Sequence, residues 1–228
     1  MRLTLFLAAT ALATSAQAAI VTQNFPASGF DKVMASGSED ITIITGKPAS
    51  VTATGDADRI ARLRIGVDGT TLMIDHKSSL NWGMQIGDPV RIVITMPALV
   101  GVHGSGAGDI VADRGSGAAF AASSSGSGDL RIAAIDSANV TMHTSGSGDI
   151  AAAGQCTSAR VSTSGSGDMA LGSLACRDID VTINGSGDVR ARASGNANIR
   201  ISGSGDVNIA GGARCKSHSS GSGDVTCS

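Results

Sequence analysis

The chain has 228 residues, 42% of them apolar, with 17 Lys and Arg against 19 Asp and Glu for a formal charge of −2. That balance is too acidic for a nucleic-acid partner, which would want a basic face. Thirty-one glycines stand beside four Phe, one Trp and no Tyr; such a composition is often disordered, but the apolar content and a strict repeat argue against disorder here.

In chain order, Arg2 is followed by an apolar run to about Ala13 and then by small residues ending in Ala16-Gln17-Ala18. A short positive start, an apolar middle and an A-x-A end make a secretory signal peptide, cleaved after Ala18 or one residue later. The run is too short to cross a bilayer core of roughly 30 Å as a helix. No cysteine follows the A-x-A to carry a lipid anchor, and no later stretch would span a membrane as a helix. The expectation is a signal peptide over 1–18 and one domain over 19–228, exported to the periplasm or the cell surface.

Residues 23–97 are patterned less regularly than the rest of the mature chain. Ile41-Thr42-Ile43-Ile44 comes after a loose Gly37-Ser38-Glu39-Asp40 and reads as an early coil. Val51-Thr52-Ala53 reads as a strand. Asp56 is an N-cap residue before helical formers that run to Leu63, which predicts one short helix. Leu72-Met73-Ile74 and Val90–Ile94 read as strands. Between them, Leu80, Trp82, Met84 and Ile86 alternate, which suggests a hairpin covering the end of the core, with a ligand-facing aromatic loop as the alternative. The whole segment is expected to cap a repeat array, because terminal repeats are atypical.

From about residue 100 to 228 one unit recurs. Gly-Ser-Gly-Asp occurs six times, ending at Asp129, Asp149, Asp168, Asp188, Asp206 and Asp224, after a variant ending at Asp109; the steps are 20, 20, 19, 20, 18 and 18 residues. The residue after each Asp is apolar (Ile110, Leu130, Ile150, Met169, Val189, Val207, Val225), and so is the residue seven before most of them (Val102, Ala122, Met142, Val161, Val181, Ile199). Alternation with period two is the strand signature. Glycine tetrapeptides between such runs are turns, where positive φ would be free of steric cost. Each unit is therefore strand, tight turn, strand and a second bend. A lone unit cannot bury its inward row, but stacked units can. The fold class is an all-β parallel β-helix with coils of about 18–20 residues; a meander or sandwich of hairpins is the competing arrangement.

Four cysteines, Cys156, Cys176, Cys215 and Cys227, in an exported chain suggest two disulfides. Cys156 and Cys176 are 20 residues apart, one coil, which in a stacked helix places them on adjacent rungs within disulfide reach. Cys215 and Cys227 would then tie down the last turn.

The tandem S-G-S-G-D-I/V units with V-x-I-x before the turn resemble the putative auto-transporter adhesin, head GIN domain family. Phe30-Asp31-Lys32-Val33 followed by Gly37-Ser38-Glu39-Asp40-Ile41 is similar to that family's first strand and turn, and Val90–Pro97 followed by Gly104–Asp109 resembles the start of its regular array. The resemblance covers essentially all of the mature chain. It implies a right-handed parallel β-helix and export.

Catalysis finds no support. His76, His103, His143 and His218 read as sharing no spacing or partner motif, although His103 and His143 fall at nearby positions in coils two apart. Zincin, nucleophile-elbow and phosphate-loop patterns are missing, and the glycine turns precede strands rather than the helix a dinucleotide loop needs. No catalytic residue and no cofactor is expected. The column Asp129, Asp149, Asp168, Asp188, Asp206 and Asp224 suggests calcium, but its 18–20-residue spacing differs from the nine-residue calcium rolls. A turn-forming role, with carboxylates accepting nearby backbone N–H groups and the motif serines donating, is the stronger reading. The functional expectation is a non-catalytic envelope or extracellular adhesion module meeting a glycan or a surface protein along a flank of the solenoid. The alternatives are a structural envelope-maintenance protein without a dedicated ligand and a carbohydrate-active β-helix enzyme.

Overall fold

In the computed structural model, which describes residues 19–77 and 90–228, the alternating runs are strands and the glycine tetrapeptides are the bends between them. The N-terminal region holds β1 (Ile20–Phe25), β2 (Lys32–Ala35), β3 (Asp40–Thr45), β4 (Ser50–Asp56), α1 (Ala57–Arg62), β5 (Leu63–Asp68), β6 (Thr71–His76) and β7 (Arg91–Met96). The array comes next, with β8 (Gly101–Gly104), β9 (Ile110–Ala112), β10 (Gly115–Ser124), β11 (Leu130–Thr144), β12 (Ile150–Thr163), β13 (Met169–Ile183), β14 (Val189–Ala193), β15 (Asn196–Ile201), β16 (Val207–Ala210), β17 (Arg214–Ser219) and β18 (Val225–Cys227). The loop carrying Leu80, Trp82, Met84 and Ile86 lies outside the described residues.

Stacked parallel coils make the protein a β-helix. Each long strand from β11 to β13 runs from one glycine turn to the next, bending where its register with the neighbour shifts, as between Ile132 and Ile135. In the 18-residue coils that second bend is shorter and splits the strand in two. Ser194 and Gly195 make the first such bend, and Gly211 and Gly212 make the last with φ of 106° and 77°, values that side chains rarely adopt. The inward positions form one continuous core. Leu130, Ile150, Met169, Val189 and Val207 lie over one another on one side of the turn, and Met142, Val161, Val181 and Ile199 on the other, all buried.

The turn glycines are required for a reason other than the expected positive φ. No glycine of the Gly-Ser-Gly-Asp turns has positive φ. Eight turns, from Gly37 to Gly221, instead stack so closely that, from Gly106 onward, a Cβ on either glycine would collide with the backbone of its counterpart one rung earlier. Closeness makes the turns part of the ladder. The Gly106 carbonyl accepts from Ser127 N (3.0 Å) and Gly128 N (3.3 Å), and the same doubly used carbonyl recurs up to Gly165 beneath Ser186 and Gly187. Just inside the turn, the buried hydroxyls of Ser124 and Thr144 donate to the carbonyls of Gly128 and Gly148, both at 3.4 Å. Thr163, next in that column, is buried with its Oγ1 unpartnered.

Sequence order and stacking order differ at the N-terminal end. β2 pairs with both β6 and β8, and β3 with both β7 and β9. The first coil of the chain is thus the second layer, slipped between β6–β7 and the array. Antiparallel pairing of β5 on β6, of β4 on β7 and of β1 on β4 finishes the end. Helix α1, capped by Asp56 Oδ1 accepting from Asp58 N and Arg59 N, brings Ile60 into the core. Glu39 fills the second glycine position of the first turn. Its buried carboxylate is tucked beside Gly37 and bonded to His76 Nε2 at 2.8 Å.

At the opposite end, Ser217 and Ser219 register with the buried Ile199 and Ile201, so the inward row turns polar in the last rung. That change closes the core without leaving an apolar surface. The disulfide between Cys215 and Cys227, with Cα atoms 6.6 Å apart, joins β17 to β18 there. Cys156 and Cys176 are register partners on β12 and β13, bonded with Cα atoms 4.5 Å apart.

Candidate binding flank

Two outward stripes flank the glycine turns. Period-two alternation fixes them, because every residue between two buried positions of a strand must face water. The first stripe is the aspartate column at the exit of the turns. Each carboxylate reaches along the stack: Asp129 Oδ1 accepts from Asp149 N (3.0 Å), Asp149 Oδ1 from Asp168 N (2.8 Å), and the series continues through Asp188 and Asp206 to Asp224 N. It starts at Asp40, which accepts from Asp109 N at 3.3 Å. The expected turn-local bond is thus an inter-coil bond instead, and the motif serines are not its donors. The backbone explains why. The Asp carbonyl receives the N–H that comes after the Asp of the previous coil, as in Leu130 N to Asp149 O at 2.8 Å. The Asp N–H itself finds no carbonyl at the turn, and the short side chain of the preceding rung supplies the missing acceptor. Arg131 pairs with Asp129 Oδ2 at 2.8 Å and Arg190 with Asp188 Oδ2 at 3.6 Å, which offsets part of the repulsion along the column. Among the described residues no group of three or more His, Cys, Asp or Glu is placed to hold a metal ion.

The second stripe is the outer face of the run that precedes each turn, on β8, the last parts of β10 to β13, β15 and β17. In the column nearest the turn stand His103, Ser123, His143, Ser162, Thr182, Arg200 and His218. Beside it run Thr141, Arg160, Asp180, Asn198 and Lys216. This column corrects the expectation that the histidines share no spacing: His103, His143 and His218 each stand six residues before a motif aspartate, and that offset was the available signal. His103 Nδ1 meets Ser123 Oγ at 2.6 Å and His143 Nδ1 meets Ser162 Oγ at 2.9 Å, so each ring is oriented by the next rung. Among the described residues no carboxylate backs either ring in a triad arrangement. At the edge of this face Asp178 accepts from Asn196 N, Asn196 Nδ2 and Arg177 Nε. The Asn196 amide and then the Arg177 guanidinium hold its carboxyl below the usual carboxylate range.

Two concavities among the described residues are open grooves. One of about 180 Å³ runs beside Asp188, Asp206 and Asp224, and one of about 300 Å³ lies beside the Cys156–Cys176 disulfide with Gln155, Arg177 and Arg192. The flank itself is flat. Flat polar columns on a backbone locked rung by rung suit an extended ligand better than a small molecule, which wants a concave site that encloses it.

The family model described as putative auto-transporter adhesin, head GIN domain, matches residues 29–213. The chain belongs to that family. The solved structures share this family member's fold. The crystal structure of a putative adhesin from Bacteroides fragilis NCTC 9343 superposes with a TM-score of 0.83 at 21% identity, covering 92% of this chain and 97% of that one. A putative lipid binding protein from Parabacteroides distasonis ATCC 8503 gives 0.71 at 20% identity, over 92% and 96% of the two chains. A putative adhesin from the same organism gives 0.69 at 16%, over 92% and 98%. No curated protein matches the chain.

Proposed function

We propose that this family member is an exported, non-catalytic adhesion module that meets a glycan or an envelope surface protein along the flank of residues His103 to His218. The proposal includes cleavage of residues 1–18 and a single functional domain over 19–228. The observation that carries it is the flank itself: outward polar side chains in straight columns, with every rung held by backbone pairing and successive rungs from β8 to β15 joined in pairs by His–Ser or Asn–Asp bonds. Preorganised side chains lose little entropy on binding. Two disulfides suit an oxidising compartment. No helix among the described residues is long and apolar enough to cross a membrane. A lipid ligand is less well served. The exposed large apolar side chains Ile20, Val21, Met34, Val67, Val93 and Val111 are divided among several faces rather than gathered on the flank.

The test is a glycan array and an envelope-protein overlay with the mature protein and with Thr141→Glu/Ser162→Glu, two bulky changes on the flank. Loss of a wild-type signal in that variant supports the reading. A signal that survives it, but is lost when the serine ridge of the turns is crowded by Ser147→Arg, moves the site off the flank and overturns the reading.

A further inference from the structure

The charge of the chain is unevenly placed. Residues 189–228 carry five Lys and Arg against two Asp, although the whole sequence is net negative. Three of these cations, Arg200, Arg214 and Lys216, lie exposed on the same outer face of β15 and β17. Strand geometry puts Arg214 and Lys216 roughly 7 Å apart along β17, and Arg200, opposite His218 on the neighbouring strand, lies on the diagonal from Lys216 at roughly 8 Å.

None of the three forms an ion pair with a described residue, whereas Arg64, Arg131, Arg177 and Arg190 all do. Carboxylates are near enough to have been used. Asp178 and Asp180 stand two rungs from Arg214 and Lys216 in the same columns. Between them the chain places Asn196 and Asn198, whose amides occupy those carboxylates: Asn196 Nδ2 to Asp178 Oδ1 at 2.8 Å and Asn198 Nδ2 to Asp180 Oδ1 at 2.9 Å. The asparagine rung keeps the cations and the acids apart, which leaves the positive charge facing outward.

We infer that this patch binds an acidic polysaccharide, laid across β15 and β17 with its carboxylate or sulfate groups on Arg200, Arg214 and Lys216. This rests on the flank being the binding face and specifies its ligand class. Charge complementarity and flatness select the occupant. Every exposed large apolar side chain among the described residues falls between Ile20 and Val111, so the patch has no apolar anchor for a lipid surface. Apart from the His218 ring opposite Arg200, it has no Phe, Tyr or Trp to make the stacking platform that a single-stranded nucleic acid uses.

The experiment measures binding of the mature protein to immobilised polygalacturonate and heparin. Neutral dextran, a single-stranded oligonucleotide and vesicles containing phosphatidylglycerol serve as comparisons. Wild type is expected to bind the acidic polysaccharides, more weakly as salt rises. Arg200→Gln/Arg214→Gln/Lys216→Gln should lose at least about tenfold in affinity with an unchanged melting temperature. Lys47→Gln/Arg114→Gln, which removes charge away from the patch, should retain it. Equal losses in the two variants, undiminished binding by the triple variant, or preference for the oligonucleotide, the vesicles or a second copy of the chain would overturn the inference. Binding to neutral glycans that is lost in Thr141→Glu/Ser162→Glu, without any acidic preference, would overturn the inference while leaving the flank as the binding face.

Discussion

The N-terminal region up to Met96 and the array from Gly101 onward solve one packing problem by different means. In the array, inward positions are often alanine, with Ala112, Ala122, Ala152, Ala191, Ala193 and Ala197 all buried. Such a core removes modest apolar area per rung. Its rungs are held as well by the doubly used glycine carbonyl and the aspartate-to-amide bond at the turns. In the N-terminal region only the turn between β2 and β3, among the described residues, makes those bonds, and the rest is held by bulk. Ile43, Ile60, Leu72, Ile74, Ile92, Ile94 and Met96 are fully buried around three antiparallel pairings and one helix. A repeated rung can be held by identical bonds because its neighbours are identical. The N-terminal end has a neighbour on one side only and is closed by size, whereas the C-terminal end is closed by polar inward residues and a disulfide.

The largest effects should come from removing bulk. Leu171→Ala in the array and Ile43→Ala in the N-terminal region should each cost about 2–5 kcal/mol, since both side chains are buried and leave a cavity. Arg131→Ala, outward and paired only with Asp129 on the surface, should stay within about 0.5 kcal/mol. A urea titration compares them, and equal losses for Leu171→Ala and Arg131→Ala would mean that inward and outward faces are misassigned.

Turn closeness should matter next. Gly148→Ala places a methyl against the Gly128 carbonyl and must push two rungs apart, at about 1–3 kcal/mol. Gly66→Ala on β5 meets open space and should change stability by less than about 0.5 kcal/mol. If both were silent, the close-stacking account would fail.

The aspartate bond is smaller again. Asp149→Ala leaves the Asp168 N–H without its acceptor and should cost about 0.5–1.5 kcal/mol. Asp149→Asn keeps an acceptor oxygen, removes one charge from the column and should be close to neutral. Amide exchange at residue 168 separates the cases: it should accelerate in the alanine variant alone. Acceleration in both would show that the negative charge, rather than the acceptor, holds the rung.

Most of the array was legible in the sequence, because stacking makes each residue answer to equivalents 18–20 positions away. The inward rows, the Cys156–Cys176 register and the short helix at Asp56 could all be read from spacing and composition. The layering of the first coil between β6–β7 and β8–β9 could not. Nothing local in Val33 or Ile41 distinguishes a neighbour eight residues away from one seventy residues away, so only the tertiary register reveals it. The histidine column was legible but hidden, since the shared six-residue offset emerges only when counted from the aspartates. The free basic patch depended on knowing that Asn196 and Asn198 separate acids from cations two rungs apart, which is information about stacked columns rather than about any one segment.

A change of the opposite sign tests whether the array tolerates a polar group that its own repeat has abandoned. The inward column beside the turn runs Ser124, Thr144, Thr163, Ile183 and Ile201. Ser124 and Thr144 bond their own turn carbonyls, but Thr163 does not, and it is 1% exposed. A buried hydroxyl with no partner loses its hydration for nothing in return, while valine has the same shape without the polar atom. Thr163→Val should therefore raise stability by about 1 kcal/mol, read as an increase of roughly 2–4 °C in melting temperature for a chain of this size. Thr144→Val, which removes a hydroxyl that has an acceptor, should bring no such gain. A lower melting temperature for Thr163→Val would show that its hydroxyl is bonded in solution, and the column would then be polar as far as the rung where isoleucine takes over.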